Sequence, residues 1–432
     1  MKDYASASLK QLAACIARRE VTVEQVARAG ITHIEEYEPA VHAWQHFDPQ
    51  HVIEQARELD AQPHQGLLYG LPIGVKDLMD TADMPTTYGS PIYENYRPLV
   101  DAACVAASRS AGALLMGKTV TTEFATFQPG PTRNPHGATD HTPGGSSSGS
   151  AAAVASGMVP AAFATQTAGS IVRPAAYCGV VGYKPTFGTL PLAGIKSLSP
   201  SLDTVGVLTR NVADAAFFIG ALARLPLSAM LTAETAPTRL RVGVCRTPNW
   251  ERAGAATRNA IEQAARLLER GGAVVRDIDL PAPCGGLTDA QIRIMSYEAA
   301  AAFEPEARSH AEGFSKAFAT VLEAGRGIDG TSYVAAQALA AAARQMVAGV
   351  FENVDILLAP STEGEAPAGL DATGDPVFNR MWSLLGNPCV HVPLGAGPGG
   401  MPIGVTLIGP RWGDAGTLAA ANLLESTFAS IN

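Results

Sequence analysis

The stretch TPGGSSSGSAAAVASGMVPAAFATQTAGSIVRPAAYCGVVGYKPT, residues 142–186, places serine hydroxyls at two breaks in an otherwise regular chain. The first break is the loop Gly145-Ser146-Ser147-Ser148-Gly149, and the second is Thr167-Ala168-Gly169-Ser170. Glycine and serine serve where backbone must come close to a ligand or hold an unusual conformation. A hydroxyl held at such a break can attack a carbonyl once a base takes its proton. Between the breaks an Ala-rich run reads as a helix and continues as an apolar strand; after the second break the chain restarts as IVRPAAYCG. Two breaks flanking one helix–strand unit imply that two loops are delivered to one place.

The surrounding elements must build the surface on which those loops meet. Residues 8–60 read as helices: Thr22 followed by Gln25 has the form of a capping box before Val26 and Ile31, and 48–60 reads as a second amphipathic helix. GLPIGVKDLMDT reads as a short apolar strand ending at Lys76-Asp77, and a helix over 101–111 leads into the strand ALLMGKT. LRVGVC, a helix over 257–270 and AVVRDIDL form a strand–helix–strand unit, which implies parallel strands. Residues 287–352 look helical. The end alternates strand DILLAPS, helix NRMWSLL, strands PCVHVPL and PIGVTLIG, and a final helix from Asp414. Neither an internal repeat nor a separating linker is visible. The expected fold class is α/β, a single large domain over residues 1–432 with a mixed central β-sheet covered by helices on both faces.

Three other patterns match a chemical motif on paper and fail in context. Gly112 to Thr119 fits the phosphate-loop pattern, but a helix precedes it and Leu114, Leu115 and Met116 are strand-like core residues, whereas a phosphate cradle needs strand, flexible loop and helix in that order. Gly395 to Gly400 fits GxGxxG, yet Pro398 interrupts it and another strand follows, so it reads as a turn. Gly145 to Gly149 fits GxSxG, the nucleophile elbow of α/β-hydrolases, with Ser147 as nucleophile and His391 as its base. That elbow must follow a strand, and residues 140–144 are a Pro/Gly loop. His42, His46 and His51 lie near one another, but Asp48-Pro49 breaks any shared helix face and no companion ligands stand at metal spacing.

GVKD at 74–77, PGGSSSGSAAAVASG at 143–157 and TQTAGSIVRPAAYCGVVGYKPT at 165–186 together resemble the amidase signature family, over at least residues 65–210. The resemblance implies a Ser–cis-Ser–Lys triad: Lys76 as base, Ser146 as the bridging serine held by a cis peptide, and Ser170 as nucleophile. The chemistry is coherent on its own terms. An amide carbonyl is a poor electrophile, and a covalent acyl-enzyme divides the barrier. A lysine accepts a proton only when neutral, which burial among neighbours such as Leu71, Ile73 and Val75 would favour. A serine hydroxyl both donates and accepts, so Ser146 can relay the proton, and the relay reversed protonates the leaving amine. Backbone N–H groups from Thr167, Ala168, Gly169 and Ser170 are expected to form an oxyanion hole. Ser147 and Thr165 are expected to hold the relay, and Asp77 to be structural. Each residue also has an ordinary alternative: Lys76 as a solvated lysine, the Ser run as a flexible linker, Ser170 as a helix cap.

Many members of that family read TDTGGSIR. Here Gln166 replaces the acid four before the nucleophile, and Arg173 falls three after it, in SIVRP. This variant, with PAAYCG and GDPVFNRMWSLLGNPCV, is similar to the malonamidase-type branch, in which that arginine binds a substrate carboxylate. The resemblance therefore implies an amide hydrolase acting on a short acid amide such as malonamate, with Arg173 gripping the carboxylate through paired hydrogen bonds or, alternatively, pairing with an internal acid or a backbone carbonyl. Other readings are a broad-specificity aliphatic or aryl amidase, an esterase using Ser147, and a transamidase subunit drawing ammonia from an amide for a partner. The spacing departures weigh against the last. Phe378, Arg380 and Trp382 are candidate pocket residues, with core packing an equal reading for the aromatics.

Composition bounds the rest. The chain has 432 residues, 47% hydrophobic and 16% charged, with a formal net charge of −9. A large core is available, and no Lys/Arg cluster offers a nucleic-acid surface. The N-terminal residues lack the apolar centre of a signal peptide, and Arg344-Gln345 interrupts the Ala-rich run near 340, so no membrane span is expected. Cys15, Cys104, Cys178, Cys245, Cys284 and Cys389 are scattered and read as buried thiols in a reducing cytoplasm. No metal or cofactor is expected, the partner is a small-molecule amide, and a homodimer is allowed for.

Overall fold

Strands buried on both faces read as near-continuous apolar runs, and this chain's interior strands do. The computed structural model describes residues 6–137, 140–231 and 240–431. Eleven strands form one sheet: β1 Trp44–His46, β2 Pro72–Lys76, β3 Leu114–Thr119, β4 Ala161–Gln166, β5 Val181–Lys184, β6 Thr204–Thr209, β7 Arg241–Cys245, β8 Val274–Ile278, β9 Ile356–Pro360, β10 Cys389–Ala396 and β11 Pro402–Ile408. Their order is β1-β3-β2-β4-β6-β5-β10-β11-β9-β7-β8. Parallel pairs β3-β2-β4 and β9-β7-β8 stand at either side of an antiparallel centre, so the sheet is mixed. Successive residues of β9 divide between two apolar clusters, Ile356 and Leu358 in one, Leu357 and Ala359 in the other. The first cluster gathers the helices Val23–Val41, Ser148–Ala155 and Asp414–Ala429; the second gathers Leu287–Ala302, Lys316–Arg326 and Gly330–Val350. Both faces are thus covered in a single α/β domain.

Local rules account for most element boundaries. The Thr22 capping box is present, with Gln25 N donating to Thr22 Oγ1 at 3.1 Å and Thr22 N to Gln25 Oε1 at 3.0 Å. The strand–helix–strand unit gives parallel β7 and β8 around the helix Ala255–Arg270. Gly112 to Thr119 is a helix exit followed by β3, and Lys118 is sealed in an ion pair with Asp77 at 3.0 Å, which leaves no phosphate cradle. Three elements differ from expectation. β1 interrupts the region read as wholly helical; three residues are too few to show an alternation, and pairing with β3 makes it a strand. β6 and the following helix Val212–Ala223 were not among the expected elements, although the β-branched run of β6 and the Asn211 cap mark them locally; β6 inserts between β4 and β5. Cys15 is half-buried, unlike the other five cysteines, and all six are unpaired. Among the described residues no helix is long and apolar enough to cross a membrane, and no group of three or more His, Cys, Asp or Glu could hold a metal ion.

The helix Ser148–Ala155 lies against β1 and β3 with no room to spare. A Cβ on Gly149 would stand 2.2 Å from Ala43 O and 2.4 Å from Val120 N, both backbone atoms. Gly149→Ala must therefore push the helix off the sheet, at a cost of about 1–3 kcal/mol. Calorimetry should show a lowered melting temperature; an unchanged one would mean the helix can withdraw without loss.

Candidate active site

Lys76 ends β2, between β3 and β4, and is fully buried. Its Nζ lies 2.7 Å from Ser146 Oγ and 2.8 Å from Thr165 Oγ1, the latter on β4. Among the described residues no carboxylate is within ion-pair distance of it. Desolvation pushes its pKa well below the ordinary lysine value, against a smaller opposing pull from Asp203. A neutral amine offers two N–H donors and one lone pair, so one neighbouring hydroxyl can accept from it while the other donates into the lone pair. Lys118, also buried, shows the contrast: it is paired with Asp77. Asp77 also accepts from Thr87 N at 3.0 Å, so this carboxylate beside Lys76 is committed elsewhere, in keeping with its structural reading.

Ser146 follows a cis peptide bond from Gly145 and is fully buried. The carbonyls on either side are held: Gly145 O accepts from Arg173 Nη2 at 2.7 Å, and Ser146 O from Thr122 N at 3.1 Å. Ser147 is bound to β4 instead, its Oγ 3.3 Å from Thr165 O and 3.4 Å from Thr165 N. It is fully buried, it follows a loop, and His391 pairs with Ser361 at 2.7 Å. The nucleophile elbow on Ser147 therefore has neither the geometry nor the base, and burial pushes His391 down to about 3. Ser147 is thus joined to Thr165, and Thr165 to Lys76.

The second break is a turn anchored from outside. Thr167 O accepts from Gln291 Nε2 at 3.1 Å, and Ala168 O from Ser383 Oγ at 2.7 Å. Thr167 Oγ1 donates to Asp203 Oδ1 at 2.5 Å, and Asp203 Oδ2 accepts from Ser197 Oγ at 2.7 Å and Leu198 N at 2.9 Å. A trans peptide sets C=O and N–H in opposite directions, so pulling these two carbonyls one way turns the N–H groups of Ala168 and Gly169 the other way. Those of Thr167, Ala168, Gly169 and Ser170 meet no acceptor among the described residues. Gly169 is required here: a Cβ on it would stand 2.7 Å from Pro376 Cβ and 3.1 Å from Asn379 Cβ. Ser170 is 6% exposed and its Oγ has no hydrogen-bond partner among the described residues.

Gln166, in place of an acid, does two jobs that a carboxylate cannot combine. Its Oε1 accepts from Ile171 N at 2.9 Å and Val172 N at 3.0 Å, while its Nε2 donates to Ser383 Oγ at 3.0 Å. Arg173 lies on the helix Val172–Cys178 and donates to Gly374 O and Gly145 O, each at 2.7 Å. Of the alternatives left open for it, the backbone-carbonyl pairing is the one the structure contains. Phe378 and Trp382 are core residues, whereas Arg380 bonds Gln291 Oε1 at 2.7 Å. Gln291, Ser383 and Asp203 carry no signal in the sequence, since nothing local marks side chains that reach the turn from other helices and loops.

The chain matches the family model described as Amidase over residues 25–418. It is 33% identical to the A subunit of the glutamyl-tRNA(Gln) amidotransferase of Acidothermus cellulolyticus, over 99% of this chain and 95% of that one. It is 34% identical to its counterpart from Solidesulfovibrio magneticus, over 98% and 97%. Among solved structures it superposes on a chain from a vestigial protein complex bearing on the origins of an s-triazine catabolic enzyme, with TM-score 0.90, 29% identity and 98% coverage of both chains. It also superposes on the native peptide amidase of Stenotrophomonas maltophilia, with TM-score 0.84 and 29% identity over 98% of this chain and 97% of that one. Family model, relatives and fold agree with the motifs around Lys76, Ser146 and Ser170, and the chain belongs to the amidase signature family.

Proposed function

We propose that this enzyme cleaves an amide C–N bond through an acyl-enzyme on Ser170. The observation that carries the reading is a buried lysine without a counter-ion, 2.7 Å from a serine hydroxyl. In this reading Ser170 Oγ attacks the amide carbonyl while Ser146 takes its proton and passes its own to Lys76 Nζ. The carbonyl oxygen becomes an oxyanion facing the unpartnered N–H groups of the 167–170 turn. The proton then returns through Ser146 to the leaving nitrogen, the C–N bond breaks, and water releases the acid by the same relay. The substrate class we assign is a short amide bearing a carboxylate, of the malonamate kind. Its support is that two arginines, Arg173 at 2% and Arg380 at 7% exposure, have no acid partner within ion-pair distance among the described residues. Burial lowers the Arg173 pKa to about 10.

A second reading is favoured by the relatives. The amidotransferase chains match nearly the whole of this one, and release of ammonia from an amide would be the shared first half of both activities. This outweighs the spacing argument against a transamidase role, because Gln166 and Arg173 are accommodated by local bonds that leave the nucleophile turn intact. The two readings differ in where the nitrogen goes.

An ammonia-release assay over malonamate-type acid amides, neutral aliphatic and aryl amides and glutamine separates them. Turnover by the chain alone, lost in Ser170→Ala, supports the hydrolase. Fluorophosphonate labelling of Ser170 without turnover of any amide supports a transferring enzyme that needs its partner. Labelling that persists in Ser170→Ala would sink both. The pH profile is a further check. Lys76 must be neutral to act, so kcat/KM should rise with pH through an inflection well below the ordinary lysine range and then level off. Lys76→Met should lower kcat/KM by about 10²–10⁴-fold and abolish that acid limb; a limb that stays in place assigns it to another group.

A further inference from the structure

We propose that Arg380 is the residue that receives the substrate's carboxylate, and that Arg173 serves beneath it as a positioning residue. This deepens, and rests on, the reading of the site as an amide-cleaving centre. Arg380 opens the helix Arg380–Leu385 and is 7% exposed, yet no carboxylate lies within ion-pair distance of it among the described residues. One hydrogen bond is made, from Nη1 to Gln291 Oε1 at 2.7 Å. Its Nε and Nη2 donate to nothing among the described residues, and neither is among the sealed, unpartnered atoms, whereas Arg173 Nε is. The free donors of Arg380 therefore look into space a ligand can enter, and those of Arg173 do not. Both terminal nitrogens of Arg173 are spent on Gly145 O and Gly374 O.

The placement fits the chemistry. Asn379, next to Arg380, packs against Gly169 of the nucleophile turn, and Gln291 joins the guanidinium to the Thr167 carbonyl of that same turn. The charge on Arg380 adds to burial in lowering the Arg173 pKa, and the acid felt by both, Asp375, is 3.2 Å from Arg252 at the surface. Two buried positive charges without an acid in ion-pair contact among the described residues are costly, and a planar anion that can accept two parallel hydrogen bonds resolves the deficit. Because Gln291 bridges Arg380 to the turn, a carboxylate on Arg380 also steadies the carbonyl whose orientation aims the N–H groups at the oxyanion.

Two measurements on the full chain test this. In calorimetric titration with malonate, wild type and Ser170→Ala should bind and Arg380→Gln should lose about 10- to 100-fold in affinity. Malonate binding that survives Arg380→Gln in full overturns the proposal. In turnover, kcat/KM on malonamate and succinamate should fall by the same factor in Arg380→Gln, and by at least about tenfold more than on amides with a neutral methyl ketone in place of the carboxylate, which lose only the Gln291 link to the turn. An equal fall on charged and neutral amides, in a variant that fluorophosphonate still labels at Ser170, overturns it too; if that variant does not label, the comparison is read from Arg380→Lys. Malonate binding that depends on Arg380 in an enzyme that never acylates Ser170 supports the anion site and counts against the amide-cleaving reading.

Discussion

A primary amine in a sealed interior, with hydroxyls for company and no acid, is the constraint around which this molecule is arranged. An ammonium there would give up water and receive no counter-charge in contact, so burial biases Lys76 toward the neutral amine. Several neighbours maintain that condition. The Asp77 carboxylate, adjacent in sequence, is occupied by Lys118 and Thr87. Asp203, the acid whose field reaches Lys76, is itself buried and held by Thr167, Ser197 and two backbone N–H groups. Its own carboxyl is pushed up by desolvation, which weakens the field it can exert on the amine.

The turn that carries Ser170 is organised by the opposite device, a surplus of donors aimed from behind. Gln291 and Ser383 draw two carbonyls outward, Gln166 accepts the next two N–H groups, and Asp203 ties down the side chain at the start. What remains unsatisfied on the inner side is a row of amide protons. Preorganised donors of this kind act on charge as it forms, with no rearrangement needed at that moment. The same atoms explain why a glutamine can stand where relatives of the motif carry an acid: its oxygen caps the helix and its nitrogen braces Ser383.

Much of this was legible in the sequence, and the reason is locality. Lys76, Ser146, Thr165 and Ser170 sit in short motifs whose small residues and order carry information without reference to distant parts, and the helix–strand unit between the two breaks follows from ordinary propensity. The helices at 23–41 and 255–270 announce themselves by caps and periodicity. What was not legible depends on contacts across long separations. The place of β6 between β4 and β5 is one such contact, and Gln291 matters because it spans from Arg380 to Thr167. The role of Arg173 could be narrowed to three partners from sequence; only the folded chain shows that two carbonyls hold it.

That guanidinium staples Gly145, in the first half of the chain, to Gly374, near its end. A ribosome therefore delivers the serines and the lysine long before it delivers the segment that completes their surroundings. Until the last quarter of the polypeptide has emerged and docked, the 167–170 turn lacks the Ser383 hydroxyl that holds its Ala168 carbonyl. A chain cut short before residue 374 would leave Arg173 with one of its two carbonyl partners and the turn without that outer support.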